Sequence, residues 1–124
     1  MRPEAEQLVE VAAATDATVL ERHSRSPHAS VRKAVLTHAA TPATTAKELI
    51  LGDVDKCVQA HGAQWAGATK AVLKELAEDD QQPQDVRVAA ISNQRIPRAV
   101  LERLTGHADP VIASEAGKAL ESRP

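Results

Sequence analysis

Apolar residues along this chain fall at helical rather than alternating spacing, and the pattern restarts at regular intervals. Over residues 3–14, Leu8, Val9, Val11 and Ala12 share one side of a predicted helix whose other side carries Glu4, Glu6 and Glu10. Further on, Ser30-Val31-Arg32-Lys33-Ala34-Val35 reappears as Asp85-Val86-Arg87-Val88-Ala89-Ala90, with Val31 and Val86 each eleven residues before a proline, Pro42 and Pro97. Pro97 to Leu104 aligns in turn with Thr69 to Leu76, so that Leu101 and Leu104 coincide with Leu73 and Leu76. Extending this register makes Val31, Val58, Val86 and Val111 equivalent, at separations of 27, 28 and 25 residues.

Four units follow, 15–40, 41–67, 68–95 and 96–121, each read as two short helices with the second starting near its valine. Ser26-Pro27, Thr41-Pro42 and Asp109-Pro110 each set a capping side chain before a proline, whose fixed φ and missing N–H suit the first helical position. Gly52-Asp53, the polar stretch Glu78 to Asp85 and Gly106 to Asp109 mark the breaks. The segment 3–14 is expected to cover the first unit, because an uncovered terminal face of a repeat stack is an association-prone apolar patch. The fold expected is all-α: one domain over 1–124, a short right-handed α-solenoid of about four two-helix repeats with an N-terminal capping helix.

The stretch Asn93 to Val111 reads N-x-x-x-P-x-x-V-L-x-x-L before Asp109 and the next valine, and Pro42 to Val58 is a looser copy. In this it resembles the leucine-rich repeat variant family and its HEAT-like relatives, over roughly residues 15–121. The resemblance implies a right-handed stack of short helices in which one element per repeat can be 3₁₀. It implies a binding or scaffold surface and no shared catalytic motif. The second unit departs from the pattern.

Composition agrees with a helical stack. The chain has 124 residues, no Phe or Tyr and one Trp, so its core must be aliphatic, and small aliphatic side chains suit closely packed helices better than β-sandwiches. Fifteen basic residues against seventeen acidic ones give a formal charge of −2, which supplies no whole-molecule field for nucleic acid or an anionic membrane. The longest apolar runs, such as Val11–Ala14 and Val88–Ile91, are four residues, against the roughly 20 that span a bilayer, so no membrane association is expected. With Cys57 alone and glutamates interrupting the first apolar stretch, a reducing, cytoplasmic setting is the expectation.

Catalytic and metal-binding patterns are missing. His23, His28, His38, His61 and His107 fit no zinc spacing, and no phosphate-binding glycine loop or nucleophile elbow occurs, so no metal, cofactor or catalytic residue is expected. Cys57 and His61, at i and i+4, are the best nucleophile or ligand pair, against which Cys57 reads more simply as a buried residue beside the core Val58. The run Glu78-Asp79-Asp80 lacks the spaced oxygen ligands of a calcium loop and reads as a solvated turn.

Two features bear on binding. In the second unit His61 stands where Ala34 and Ala89 stand elsewhere, and Trp65 replaces His38 and Asn93, beside Gly62 and Gly67; the ring either fills the gap these leave or makes a specific contact. Arg32 and Arg87 follow equivalent valines, with Gln59 between them. They are expected to pair with Asp53, Asp55, Asp85 or Asp109 as a structural ladder. Alternatively, with Lys33, Arg95 and Arg98, they form a basic ridge for phosphates, since helical-repeat DNA glycosylases show that this kind of scaffold can hold a duplex. The acidic balance and scarcity of stacking aromatics argue against nucleic acid. The function expected is therefore a non-catalytic interaction module that binds a polypeptide on an inner face carrying Arg32, His38, Gln59, His61, Trp65, Arg87 and Asn93.

Overall fold

The computed structural model describes residues 3–123 and is all-helical; every helix among the described residues is α, and they include no strand. In chain order the helices are α1 (Glu4–Ala13), α2 (Ala17–His23), α3 (Ala29–Leu36), α4 (Ala43–Gly52), α5 (Lys56–Gln64), α6 (Lys70–Glu78), α7 (Gln84–Ser92), α8 (Arg98–Leu104) and α9 (Pro110–Glu121). None exceeds 12 residues, and helices this short are marginal in isolation, so packing must hold them. None is long and apolar enough to cross a membrane. Two helices fall within each of the segments 15–40, 41–67, 68–95 and 96–121, and α1 lies within 3–14.

The helix starts follow a rule the sequence hid. Pro3, Pro42, Pro83 and Pro97 are themselves the residues preceding α1, α4, α7 and α8, with φ between −57° and −61° and ψ between 137° and 152°. Their carbonyls accept from Gln7, Ala46, Arg87 and Leu101, so each proline closes the first turn from outside the helix, where its missing N–H costs nothing. Only Asp109-Pro110 takes the expected arrangement, with Asp109 capping Val111 N at 2.9 Å and Pro110 opening α9. Thr41 instead donates its hydroxyl to the Val35 carbonyl at the end of α3. Ser26 lies two residues before the His28 that precedes α3 and accepts the His28 N–H at 3.2 Å.

Contacts group into two compact units, residues 1–62 and 63–124. In the first, α1 packs on α2 and α3, and α3 on α4, around Val11, Leu20, Val31, Val35, Leu36 and Ile50. The apolar stripe expected on α1 is corrected: Val11 is buried, but Val9 is 69% exposed and the polar Gln7 is buried in its place. Gln7 is inside because Ser26, nineteen residues on, donates its hydroxyl to the Gln7 amide oxygen at 2.6 Å, removing the penalty of burying an unpaired amide. Glu10, read as solvent-facing, meets the buried His23 ring at 2.9 Å. Polar pairs of this kind fix how the first helix docks.

In the second unit α6 packs on α7, α8 on α9, α6 on α8 and α7 on α9, so corresponding helices of two successive hairpins lie side by side. Leu73, Leu76, Val86, Ala90, Ile91, Leu101 and Ile112 fill the interior. Ile112 is fully buried, whereas Val111, the residue aligned with Val86 in the sequence, is 44% exposed.

Gly62 is a required close approach. A Cβ there would collide with the Ile50 side chain and come to 3.0 Å from Leu36 Cδ1, so α5 sits against α3 and α4 only because nothing projects at this position. Gly62→Leu is expected to lower stability by about 2 kcal/mol through overpacking. Gly52→Ala, with nothing within 4 Å, should be neutral or gain up to about 1 kcal/mol. Urea unfolding followed by circular dichroism checks both; equal midpoints for the two variants would remove the close-approach account.

Candidate functional site

The three polar residues that follow the buried valines turn inward. Arg32 donates through Nε and Nη2 to the two carboxylate oxygens of Asp53, at 2.8 and 3.1 Å, and through Nη1 to the Ser26 carbonyl at 2.8 Å. The pair is well shielded, with side-chain exposures of 12% and 3%. Gln59 is buried and gives its amide to the carbonyls of Ile50 and Leu51 at the end of α4. Arg87 is buried too; Nε donates to the Ala77 carbonyl at 3.0 Å, with His107 Nε2 3.1 Å from Nη2 and Asp80 3.4 Å from Nη1. Gln59 and Arg87 thus reach carbonyls in the last turn of the preceding helix, groups that a helix end leaves unsatisfied, and Arg32 reaches one in the loop before its own helix. The ladder partner expected for Arg32 is present in Asp53. Asp55 caps Cys57 N and Asp109 caps α9.

Asn93 and His38 end their helices in related ways. Asn93 is buried, donates to the carbonyls of Ala63 and Trp65 at 2.8 and 2.9 Å, and accepts the Arg95 N–H at 2.9 Å, so its amide is spent on the chain. His38 is half-buried, and its Nδ1 accepts the Ala40 N–H at 3.0 Å. That bond fixes the neutral ring as the Nε2–H tautomer. His61 is exposed on α5. Trp65 is half-buried, and its ring lies over Gly67, where a Cβ would strike it. Gly67 therefore makes room for the tryptophan, whereas Gly62 makes room for Ile50.

Cys57 is exposed, correcting the buried reading that its neighbour Val58 suggested. Among the described residues no group of three or more His, Cys, Asp or Glu side chains is gathered where it could hold a metal ion. The acidic run is spent locally: Glu78 pairs with Arg103, Asp79 accepts the Gln81 N–H at 2.9 Å, and Asp80 faces Arg87 and His107. Asp109's carboxyl is held below its ordinary value chiefly by the hydrogen bond from Gln84, then by the Val111 N–H.

A feature the sequence did not advertise is an open groove of about 430 Å³ in the second unit, bordered by Ser92, Asn93, Gln94, Arg98, Ser122 and Arg123. It is assembled from the end of α7, the start of α8 and the last turn of α9. Arg123 closes one side by donating to the carbonyls of Gln94 and Ile96 at 3.1 and 2.5 Å. Of the ridge residues other than Arg32 and Arg87, Arg95 and Arg98 are exposed, and Arg98 makes an exposed pair with Glu102 at 3.1 Å. Comparison with protein-family models, with curated proteins and with solved structures finds no match to this chain.

Proposed function

We propose that this chain is a short right-handed α-solenoid of about four two-helix repeats, capped by α1 and of the leucine-rich repeat variant or HEAT-like kind, that serves as a non-catalytic cytoplasmic module binding a polypeptide. The observation that carries the binding class is the engagement of Arg32 and Arg87. A phosphate-binding ridge needs exposed guanidinium groups, but Arg32 is bidentate to Asp53 and Arg87 is 5% exposed. Their reach to preceding carbonyls, shared by Gln59, is what a repeated framework position would do and supports the repeat reading. In that framework Arg32, Gln59, Arg87 and Asn93 fix the scaffold, and His38, His61 and Trp65 keep surface for a partner. A rigid helical surface of this kind lowers the ordering cost of binding.

The test begins with a pull-down from native lysate on the tagged full chain, mass-spectrometric identification, and rebinding of the purified partner. His61→Ala and Trp65→Ala are expected to weaken that rebinding at least about fivefold, with helical content unchanged by circular dichroism. Rebinding insensitive to both would remove these residues from the surface. Tight binding of duplex DNA that collapses as salt rises would replace the reading with the nucleic-acid alternative.

A further inference from the structure

We infer that the groove between α7, α8 and α9 is a docking site for an acidic segment of a partner polypeptide, a reading that rests on the interaction role proposed above and names the chemistry of the partner. Arg98 and Arg123 line it, and Arg95, exposed, follows the lining residue Gln94 in the chain; no carboxylate is among its lining residues. Arg95's guanidinium makes no ion pair or hydrogen bond within the described residues, since only its backbone N–H is engaged, by Asn93. Arg123 spends one terminal nitrogen, Nη2, on the carbonyls of Gln94 and Ile96, which offsets the negative potential of those oxygens and leaves Nε and Nη1 unspent among the described residues. Among the described residues Arg98 is tied only to Glu102, four residues on in the same helix, and both side chains are about 60% exposed. Such a pair is worth a few tenths of a kcal/mol, so an incoming carboxylate displaces Glu102 at little cost.

A guanidinium fork matches carboxylate and phosphate alike with two parallel hydrogen bonds, and the Gln94 side chain, exposed at the rim, can add a neutral donor, so what separates a peptide from a nucleic acid here is the rest of the lining. The volume suits a few side chains of an extended peptide. The groove offers no aromatic ring on which bases could stack, and its lining includes no tryptophan, the one aromatic residue of the chain.

The experiment uses the full chain and a short fluorescein-labelled glutamate-rich peptide, read by fluorescence anisotropy at low salt. Saturable binding is expected, weakened about tenfold in the double variant Arg95→Gln/Arg98→Gln and left intact by Arg25→Gln, an exposed arginine of the first unit. Arg95→Glu/Arg98→Glu should bind a lysine-rich peptide instead, which a loss through misfolding could not produce. No binding, binding equal in the double variant, or tighter binding of a single-stranded oligonucleotide through the same arginines would each overturn the assignment. If the assignment fails while the lysate partner still binds and still depends on His61 or Trp65, the fault lies with this groove and not with the interaction role.

Discussion

Ile112→Ala is expected to lower the stability of this protein by about 3 kcal/mol, while Val111→Ala, one residue earlier, should cost less than about 0.5 kcal/mol. Ile112 is fully buried and Val111 is 44% exposed, so the first change opens a cavity among packed aliphatic side chains and the second trims a solvated one. In a chain of this size the first loss corresponds to a fall in Tm of roughly 10 °C. The contrast also tests the register. Val31 with Val35, Val86 with Ala90 and Ile112 with Ala116 are buried pairs four residues apart, and Val58 with Gly62 holds the same spacing in α5. Counted through Ile112, the repeat separations become 27, 28 and 26 residues, more even than the sequence reading through Val111. Thermal unfolding of both variants decides the matter, and a Val111 cost equal to that of Ile112 would return the register to the earlier position.

The choice between Val111 and Ile112 shows where local pattern runs out. Asp109 and Pro110 announce the start of α9 correctly, and the 3.6-residue period gives its apolar side, but two adjacent β-branched residues both satisfy that period near a helix start. Which one is buried depends on the angle at which α9 meets α7, and that is tertiary information. The all-helical class was legible because Leu73 with Leu76 and Leu101 with Leu104 recur at helical spacing in a chain nearly free of aromatics. The buried side of α1 was not legible, because Gln7 is inside only by virtue of Ser26 in a distant loop. Likewise, the groove joins residues 91–98 to residues 119–123, and no periodicity links those segments. Arg87 was placed beside the right valine, but its burial depends on the carbonyl of Ala77 and the ring of His107, partners supplied by two other turns.

Asp53→Ala should cost about 3 kcal/mol, more than any exposed charge in the molecule, because it strands a guanidinium that is only 12% exposed. Two bonds to Arg32 disappear, and with them the 2.9 Å bond by which Asp53 holds the Asp55 N–H in the turn before α5. Arg32 keeps only the Ser26 carbonyl, too little to compensate a charge held away from water. Asp53→Asn separates the two effects: the amide oxygen can still accept from Asp55, so its cost of about 2 kcal/mol reports the loss of the charge and of one Arg32 bond with the turn kept. Arg32→Met in the Asp53→Ala background should then restore part of the loss, since removing the second charge of a shielded pair removes the penalty of leaving it alone. Urea unfolding of the four proteins in this cycle gives the coupling, expected at about 2 kcal/mol. The result bears on function as well as on stability. A coupling near zero would mean that Arg32 is held loosely enough to turn toward an external anion, and the phosphate-binding ridge would regain the arginine on which its rejection depends.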